Sequence, residues 1–217
     1  MKDDKLIIFD CDGVLVDSEV ITNRVFAKML NELGIPVSLD DMFEQFVGRS
    51  MTHCLELITK MLGGPLPANF VDRYQTLTAV ALESELKEVR GISKLLDQLD
   101  ALGVPFCVAS NGTPEKMKTT LGITGLLNRF EGKLFSVTQV ARGKPAPDIY
   151  LYAASKHGIA PSACHVIEDS PAGVTAGVAA RMTVYGYDAH TPKQCLIEAG
   201  AHYTFSDMHR LPELLFS

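Results

Sequence analysis

Four short clusters of residues in this chain have the composition of reaction-site parts. The first is Asp10-Cys11-Asp12-Gly13. If the chain is extended there, alternation puts Asp10 and Asp12 on one side and Cys11 on the other. Two neighbouring carboxylates repel, and a divalent cation is a natural compensation. Gly13 allows a sharp turn or a close approach of backbone to a ligand. The second cluster, Ser110-Asn111-Gly112, offers a hydroxyl, an amide and a glycine suited to holding phosphate oxygens. The third is Lys144, in the segment GKPAPD, a cation followed by prolines that fix chain direction. The fourth is Glu168-Asp169-Ser170, another acidic pair. Each cluster alone has a plainer reading: an Asx turn, a common Ser-Asn-Gly turn, a solvated lysine, a helix N-cap ahead of Pro171.

The elements around the clusters decide how they combine. Leu6-Ile7-Ile8-Phe9 is a short branched run that reads as a buried strand of a parallel sheet. Similar runs occur at Phe106–Ala109, Leu134–Val137, His165–Ile167 and Met182–Tyr185. Helical patterns lie between them. Ile92, Leu95, Leu96, Leu99 and Leu102 recur at helical spacing with Gly103 as a stop, and Pro114, Pro147 and Pro171 are placed to open helices. Alternating strands and helices predict an α/β fold, a Rossmann-like doubly wound parallel sheet. In such a sheet ligands bind beyond the carboxyl ends of the strands, where all four clusters fall. Acidic metal ligands, a cation and neutral phosphate donors together suit phosphoryl transfer.

Residues 17–89 break the alternation. They carry helical patterns, Val25 to Leu33 closed by Gly34 and Cys54 to Leu62 closed by Gly63, and no strand pattern. They read as a small α-helical domain inserted into a core formed by 1–16 and 90–217.

At 217 residues, 47% hydrophobic and 21% charged, the chain has globular composition and length enough to bury a core without staples. Its net charge of −6, from 20 basic and 26 acidic residues, argues against nucleic acid and anionic membranes as partners. Five cysteines without a CxxC pair read as reduced thiols. With no signal-peptide-like or membrane-length apolar run, the expected location is the cytoplasm. The sequence does not fix oligomeric state; a monomer or weak homodimer is the expectation.

FDCDGVLVDS, ASNG, GKPAPDIY and VIEDSPAGV, in this order, resemble the haloacid dehalogenase superfamily, in its branch of helical-capped phosphatases and β-phosphoglucomutases. The resemblance spans the whole chain and makes the inserted helices a cap. It implies a Mg²⁺-dependent phosphatase acting on small phosphorylated metabolites such as sugar phosphates or phosphogluconate. Asp10 would be the nucleophile that forms an aspartyl-phosphate, and Asp12 the general acid and then base. Asp10, the Asp12 carbonyl and Asp169 would hold Mg²⁺, with Glu168 in its outer sphere. Ser110 and the Asn111 backbone would hold the phosphoryl group, and Lys144 would offset charge on Asp10 and on the phosphate. The original dehalogenases lack a counterpart of Asp12, so its presence points to phosphate chemistry.

A phosphomutase is the nearest alternative. Mutases of this branch carry a histidine where this chain has Thr22. Phosphonate-cleaving relatives use a cap lysine, for which only Lys28 is available early in the cap. A catalytically silent phosphate-binding regulator would not need the full set Asp10, Asp12, Lys144 and Asp169. Substrate choice is expected from the cap, with Arg49 in Gly48-Arg49-Ser50 as the residue to pair with a second anionic group or with sugar hydroxyls. His53 and Arg73 read as helix-surface residues.

Overall fold

The computed structural model describes residues 5–46 and 51–216. Contacts divide the chain into two units, Met1–Asp17 with Lys87–Ser217, and Ser18–Leu86.

The larger unit is built on six strands: β1 (Leu6–Phe9), β2 (Phe106–Ser110), β3 (Leu134–Ser136), β4 (Cys164–Glu168), β5 (Thr183–Tyr187) and β6 (Tyr203–Phe205). Their order is β3-β2-β1-β4-β5-β6 and every neighbouring pair is parallel. The order reverses at β1, so that strand's carboxyl end opens at the topological switch point, where open sheets bind ligands. Strands β1 to β5 match the apolar runs of the sequence. β6 is an additional edge strand whose three residues are too few to show a period.

All four residues of β1 are fully buried. Leu6 and Ile8 belong to a cluster with Cys107, Ile149, Tyr150, Val166, Val174 and Val184, while Ile7 and Phe9 are buried on the opposite face. A strand covered on both faces needs no polar alternation, which is why it reads as a continuous apolar run.

The unit's helices connect these strands, as parallel pairing requires. Around the inserted helices come first α1 (Glu19–Glu32), α2 (Leu39–Gln45), α3 (Met51–Leu62) and α4 (Phe70–Glu85), then α5 (Ile92–Leu102), α6 (Pro114–Ile123), α7 (Asp148–His157), α8 (Pro171–Ala179), α9 (Lys193–Glu198) and α10 (Leu211–Phe216). Gly103 ends α5 in the left-handed region at φ 65°, the conformation a glycine adopts without a Cβ penalty. Pro114 and Pro171 begin their helices, whereas Pro147 lies one residue ahead of α7. The small residues of α8 permit close packing: a Cβ on Gly177 would lie 2.7 Å from Val184 of β5.

The Ser18–Leu86 unit is helical. Phe26, Leu30, Met42, Phe46, Ile58 and Phe70 form its core, with the Phe26 ring 4.9 Å from that of Tyr74 and 5.8 Å from those of Phe46 and Phe70. Among the described residues, the ion pairs Arg24 with Glu85 and Arg73 with Glu32 are at its surface. Arg49 lies outside the described residues.

Candidate active site

The carboxyl ends of β1, β2 and β4, with the loop before α7, surround one cleft of about 430 Å³. Asp10, Asp12, Ser110, Asn111, Lys144 and Glu168 all line it, together with Gly112, Thr113, Lys116 and Ser170. Residues from 10 to 170 in the chain thus reach one place because parallel strands point the same way.

β1 stops at Phe9, and the chain then turns through Asp10 to Val16. The Cys11 carbonyl accepts from the Leu15 and Val16 amides, and the Gly13 amide donates to the Val16 carbonyl at 2.9 Å. Gly13 sits at φ 74°, which few residues other than glycine adopt cheaply. Cys11 points away from the cleft and is buried, its Sγ 3.8 Å from Thr120 Oγ1.

Lys144 is the centre of the polar network. Its Nζ donates to Asp10 Oδ1 at 2.7 Å and to Glu168 Oε1 at 2.6 Å, and the side chain is 4% exposed. The Tyr150 ring lies under the ammonium, 4.8 Å away. Burial opposes the Lys144 charge, but Asp10 and Glu168 outweigh it and hold its pKa well above the usual lysine value. Burial pushes Asp10 up to about 7; Lys144 pulls it down, and Glu168 and Asp12 add like-charge repulsion. A buried carboxylate in this position therefore needs cationic support to stay ionised.

Glu168 ends β4 and is fully buried. Besides Lys144, its carboxylate accepts from Tyr150 OH at 3.0 Å, the Ser170 amide at 2.9 Å and Ser170 Oγ at 3.0 Å. Ser170 also caps α8 by accepting from the Gly173 amide at 3.1 Å. The N-cap reading of the Glu-Asp-Ser cluster is met at Ser170, while Glu168 places a buried carboxylate at the cleft. Gly173 is required by the same arrangement: a Cβ there would stand 1.7 Å from Glu168 Oε1.

Asp10, Glu168 and half-buried Asp169 each offer an oxygen, all within 4.8 Å of one another. An all-oxygen, carboxylate-rich set is what hard divalent cations take. Glu168 already serves four donors, so Asp10 and Asp169 are the better placed pair for direct contact with a metal.

Two turns complete the cleft. Ser110 Oγ accepts from the Gly112 amide at 3.0 Å, and Ser136 Oγ donates to the Gly112 carbonyl at 2.7 Å. The Asn111 side chain clamps the Lys144 backbone, donating to its carbonyl at 3.2 Å and accepting from its amide at 2.9 Å. Asn111 therefore positions Lys144 with its side chain, in addition to the backbone role read from the sequence.

Three residues were not singled out by sequence reasoning. They are Ser136, inside the strand-like run Leu134–Val137, Tyr150, at the end of the segment GKPAPDIY, and Lys116. The signal that could have found Lys116 is its place two residues after Pro114, in the first turn of a helix that begins at a cleft-lining loop. Its Nζ lies 2.7 Å from Asp12 Oδ2.

The similarity to known proteins agrees with this construction. The match to the haloacid dehalogenase-like hydrolases spans residues 5–181. The 6-phosphogluconate phosphatase of Escherichia coli K12 is 32% identical over 209 residues, covering 96% of this chain and 93% of its own. A haloacid dehalogenase-like protein of unknown function from Agrobacterium tumefaciens is 36% identical, with a TM-score of 0.90 and 97% of both chains covered. A HAD family hydrolase from Deinococcus radiodurans, solved with bound phosphate and sodium, is 31% identical with a TM-score of 0.87, covering 99% of this chain and 96% of its own. Fold and cleft define a hydrolase built on a doubly wound parallel sheet. The chain belongs to the haloacid dehalogenase-like hydrolase family.

Proposed function

We propose that this chain is a Mg²⁺-dependent phosphatase of small phosphorylated metabolites, with sugar phosphates and phosphogluconate as the substrate class. The observation that carries this reading is the Asp10–Lys144–Glu168 network, set beside Asp12 and Ser110 in a single cleft. The phosphatase relative from E. coli and the phosphate-bound relative from D. radiodurans support it.

Asp10 and Asp169 would hold Mg²⁺, with the Asp12 carbonyl as a further ligand and Glu168 behind them. The metal, when bound, neutralises charge on the carboxylates and on the phosphoryl oxygens. Ser110 and the Asn111 amide hold the phosphoryl group in place. An Asp10 oxygen attacks phosphorus, the bond from phosphorus to the leaving oxygen breaks, and Asp12 gives that oxygen a proton. Asp12 then takes a proton from the water that attacks the aspartyl-phosphate, releasing inorganic phosphate and regenerating Asp10. A carboxylate nucleophile divides one hard displacement into two easier ones. Lys144 keeps Asp10 anionic and oriented while a dianionic substrate enters. Arg49 is proposed to recognise the part of the substrate beyond its phosphate, and a cytoplasmic setting is proposed with it, supported by the free thiols.

The test is phosphate release from a panel containing 6-phosphogluconate, hexose and hexitol phosphates and p-nitrophenyl phosphate. Activity is expected with Mg²⁺, to vanish with EDTA and to return on adding Mg²⁺. Asp10→Asn should lower turnover by about 10³-fold or more while the protein stays folded. Full activity after exhaustive chelation, or near-normal activity of folded Asp10→Asn, would falsify this reading.

A further inference from the structure

The cleft contains a second ammonium that the proposed chemistry leaves without a task. Lys116 Nζ lies 2.7 Å from Asp12 Oδ2, joining residues 104 apart in sequence, and both side chains line the cleft. The helix that carries Lys116 is held in place at its start. Thr113 caps α6 by accepting from the Lys116 amide at 3.3 Å, and Pro114 occupies the first turn. One turn further on, Thr120 Oγ1 meets Cys11 Sγ at 3.8 Å. Residues four apart share a helix face. One stripe of α6 thus grips two consecutive residues of the loop after β1, Cys11 by its buried side and Asp12 by its cleft side. The pull on Asp12 also has a direction. Asp10 and Glu168 also line the cleft with carboxylates, and Lys116 draws the Asp12 carboxylate toward the α6 wall.

We propose that Lys116 is the positioning residue for Asp12: by binding Oδ2 it fixes the orientation in which the Asp12 carboxyl group meets the leaving oxygen. The inference rests on the reading of Asp12 as the proton donor. Lys116 itself touches neither the phosphoryl group nor the leaving oxygen in this role. A loosened Asp12 transfers its proton poorly, and the loss depends on how much the leaving group needs that proton. A nitrophenolate leaves unaided, whereas a methoxyphenolate depends on protonation. A defect in folding or in phosphate binding would slow both alike.

The experiment uses the Mg²⁺-loaded enzyme and a series of phenyl phosphates from p-nitro to p-methoxy, reading kcat/KM against leaving-group basicity. Wild type is expected to show a shallow slope and Asp12→Asn a steep one. Lys116→Met should fall between them, losing about 10–100-fold with p-methoxyphenyl phosphate, no more than the lower end of what a general acid supplies, and less than about 3-fold with p-nitrophenyl phosphate. Lys116→Gln should repeat the result, and the melting temperature of each variant checks its fold. A wild-type slope in both Lys116 variants, with or without a uniform loss, overturns the inference alone. A wild-type slope in Asp12→Asn overturns the reading of Asp12 and the inference with it.

Discussion

The two walls of the cleft each present a lysine to a carboxylate at 2.7 Å, yet they are built in opposite ways. On the β4 and α7 wall, Lys144 is 4% exposed, lies between Asp10 and Glu168, rests on the Tyr150 ring and has its backbone clamped by Asn111. On the α6 wall, Lys116 is 50% exposed and Asp12 is 22% exposed. The first arrangement is over-determined: Lys144 is held by two carboxylates, and removing it leaves both of them buried without their shared cation. The second is open to solvent, where an ion pair contributes little to stability. The difference follows the proposed chemistry. A nucleophile must stay anionic and still against repulsion, which calls for a fixed cation. Asp12, which gives up and regains a proton in each cycle, is oriented by its lysine from one side and stays within reach of solvent.

Removing the fixed cation should have the largest effect. Lys144→Met would leave Asp10 and Glu168 facing each other in a buried site. The expected cost is about 3–5 kcal/mol, the usual penalty for breaking a buried pair. For a chain of this size that lowers the melting temperature by roughly 6–20 °C, and scanning calorimetry in EDTA would measure it. A shift under about 2 °C would show that the Lys144 wall is not the rigid one. The next effect comes from the far side of the same wall. In Gly173→Ala the new Cβ would overlap the Glu168 carboxylate. Glu168 must then swing away from Lys144, Tyr150 and the Ser170 amide, or α8 must shift, at about 1–3 kcal/mol for overpacking. Phosphatase activity should fall together with stability, because Lys144 loses one of its two anchors. Unchanged melting and unchanged activity would show that Glu168 has room to move.

The fold was legible where physics leaves a long or repeated trace. Five strands appear as apolar runs because both sheet faces are covered, and α5 shows its stripe because Ile92, Leu95, Leu96 and Leu99 bury one side. β6 was not legible, since Tyr203–Phe205 is three residues long and Tyr203 is half exposed. The cleft was legible through residue types that cluster locally: Asp10 with Asp12, Ser110 with Asn111, Glu168 with Asp169. What escaped are residues whose work depends on distant partners. Tyr150 sits in an apolar helix face and reads as core; its bond to Glu168 crosses 18 residues. Ser136 reaches the Gly112 carbonyl across 24 residues, and Lys116 reaches Asp12 across 104. Periodicity and motif spacing report what a segment does for itself. They do not report a single side chain aimed at another strand's end.

The smallest expected effect is the one that separates the two walls most sharply. Lys116→Met removes an ammonium from the same 2.7 Å distance as Lys144→Met does. By contact length alone the two losses would be equal. Exposure argues otherwise. Burial opposes the Lys116 charge, but Asp12 outweighs it, and water still reaches half of the Lys116 side chain and part of Asp12, so Asp12 keeps access to solvent when the pair is gone. Exposed pairs contribute about 0–1 kcal/mol in mutant cycles. The melting temperature of Lys116→Met in EDTA should therefore fall by no more than about 4 °C. The value should shrink further at high salt, because screening weakens an exposed pair more than a buried one. The salt dependence is the sharper half of the measurement. Lys144→Met should lose nearly the same stability at low and high salt, while the small loss in Lys116→Met should fade. A loss in Lys116→Met that matches that of Lys144→Met, or that persists at high salt, would mean that the α6 wall is as rigid as the other and that the contrast between a buried and a solvent-reached ion pair is wrong.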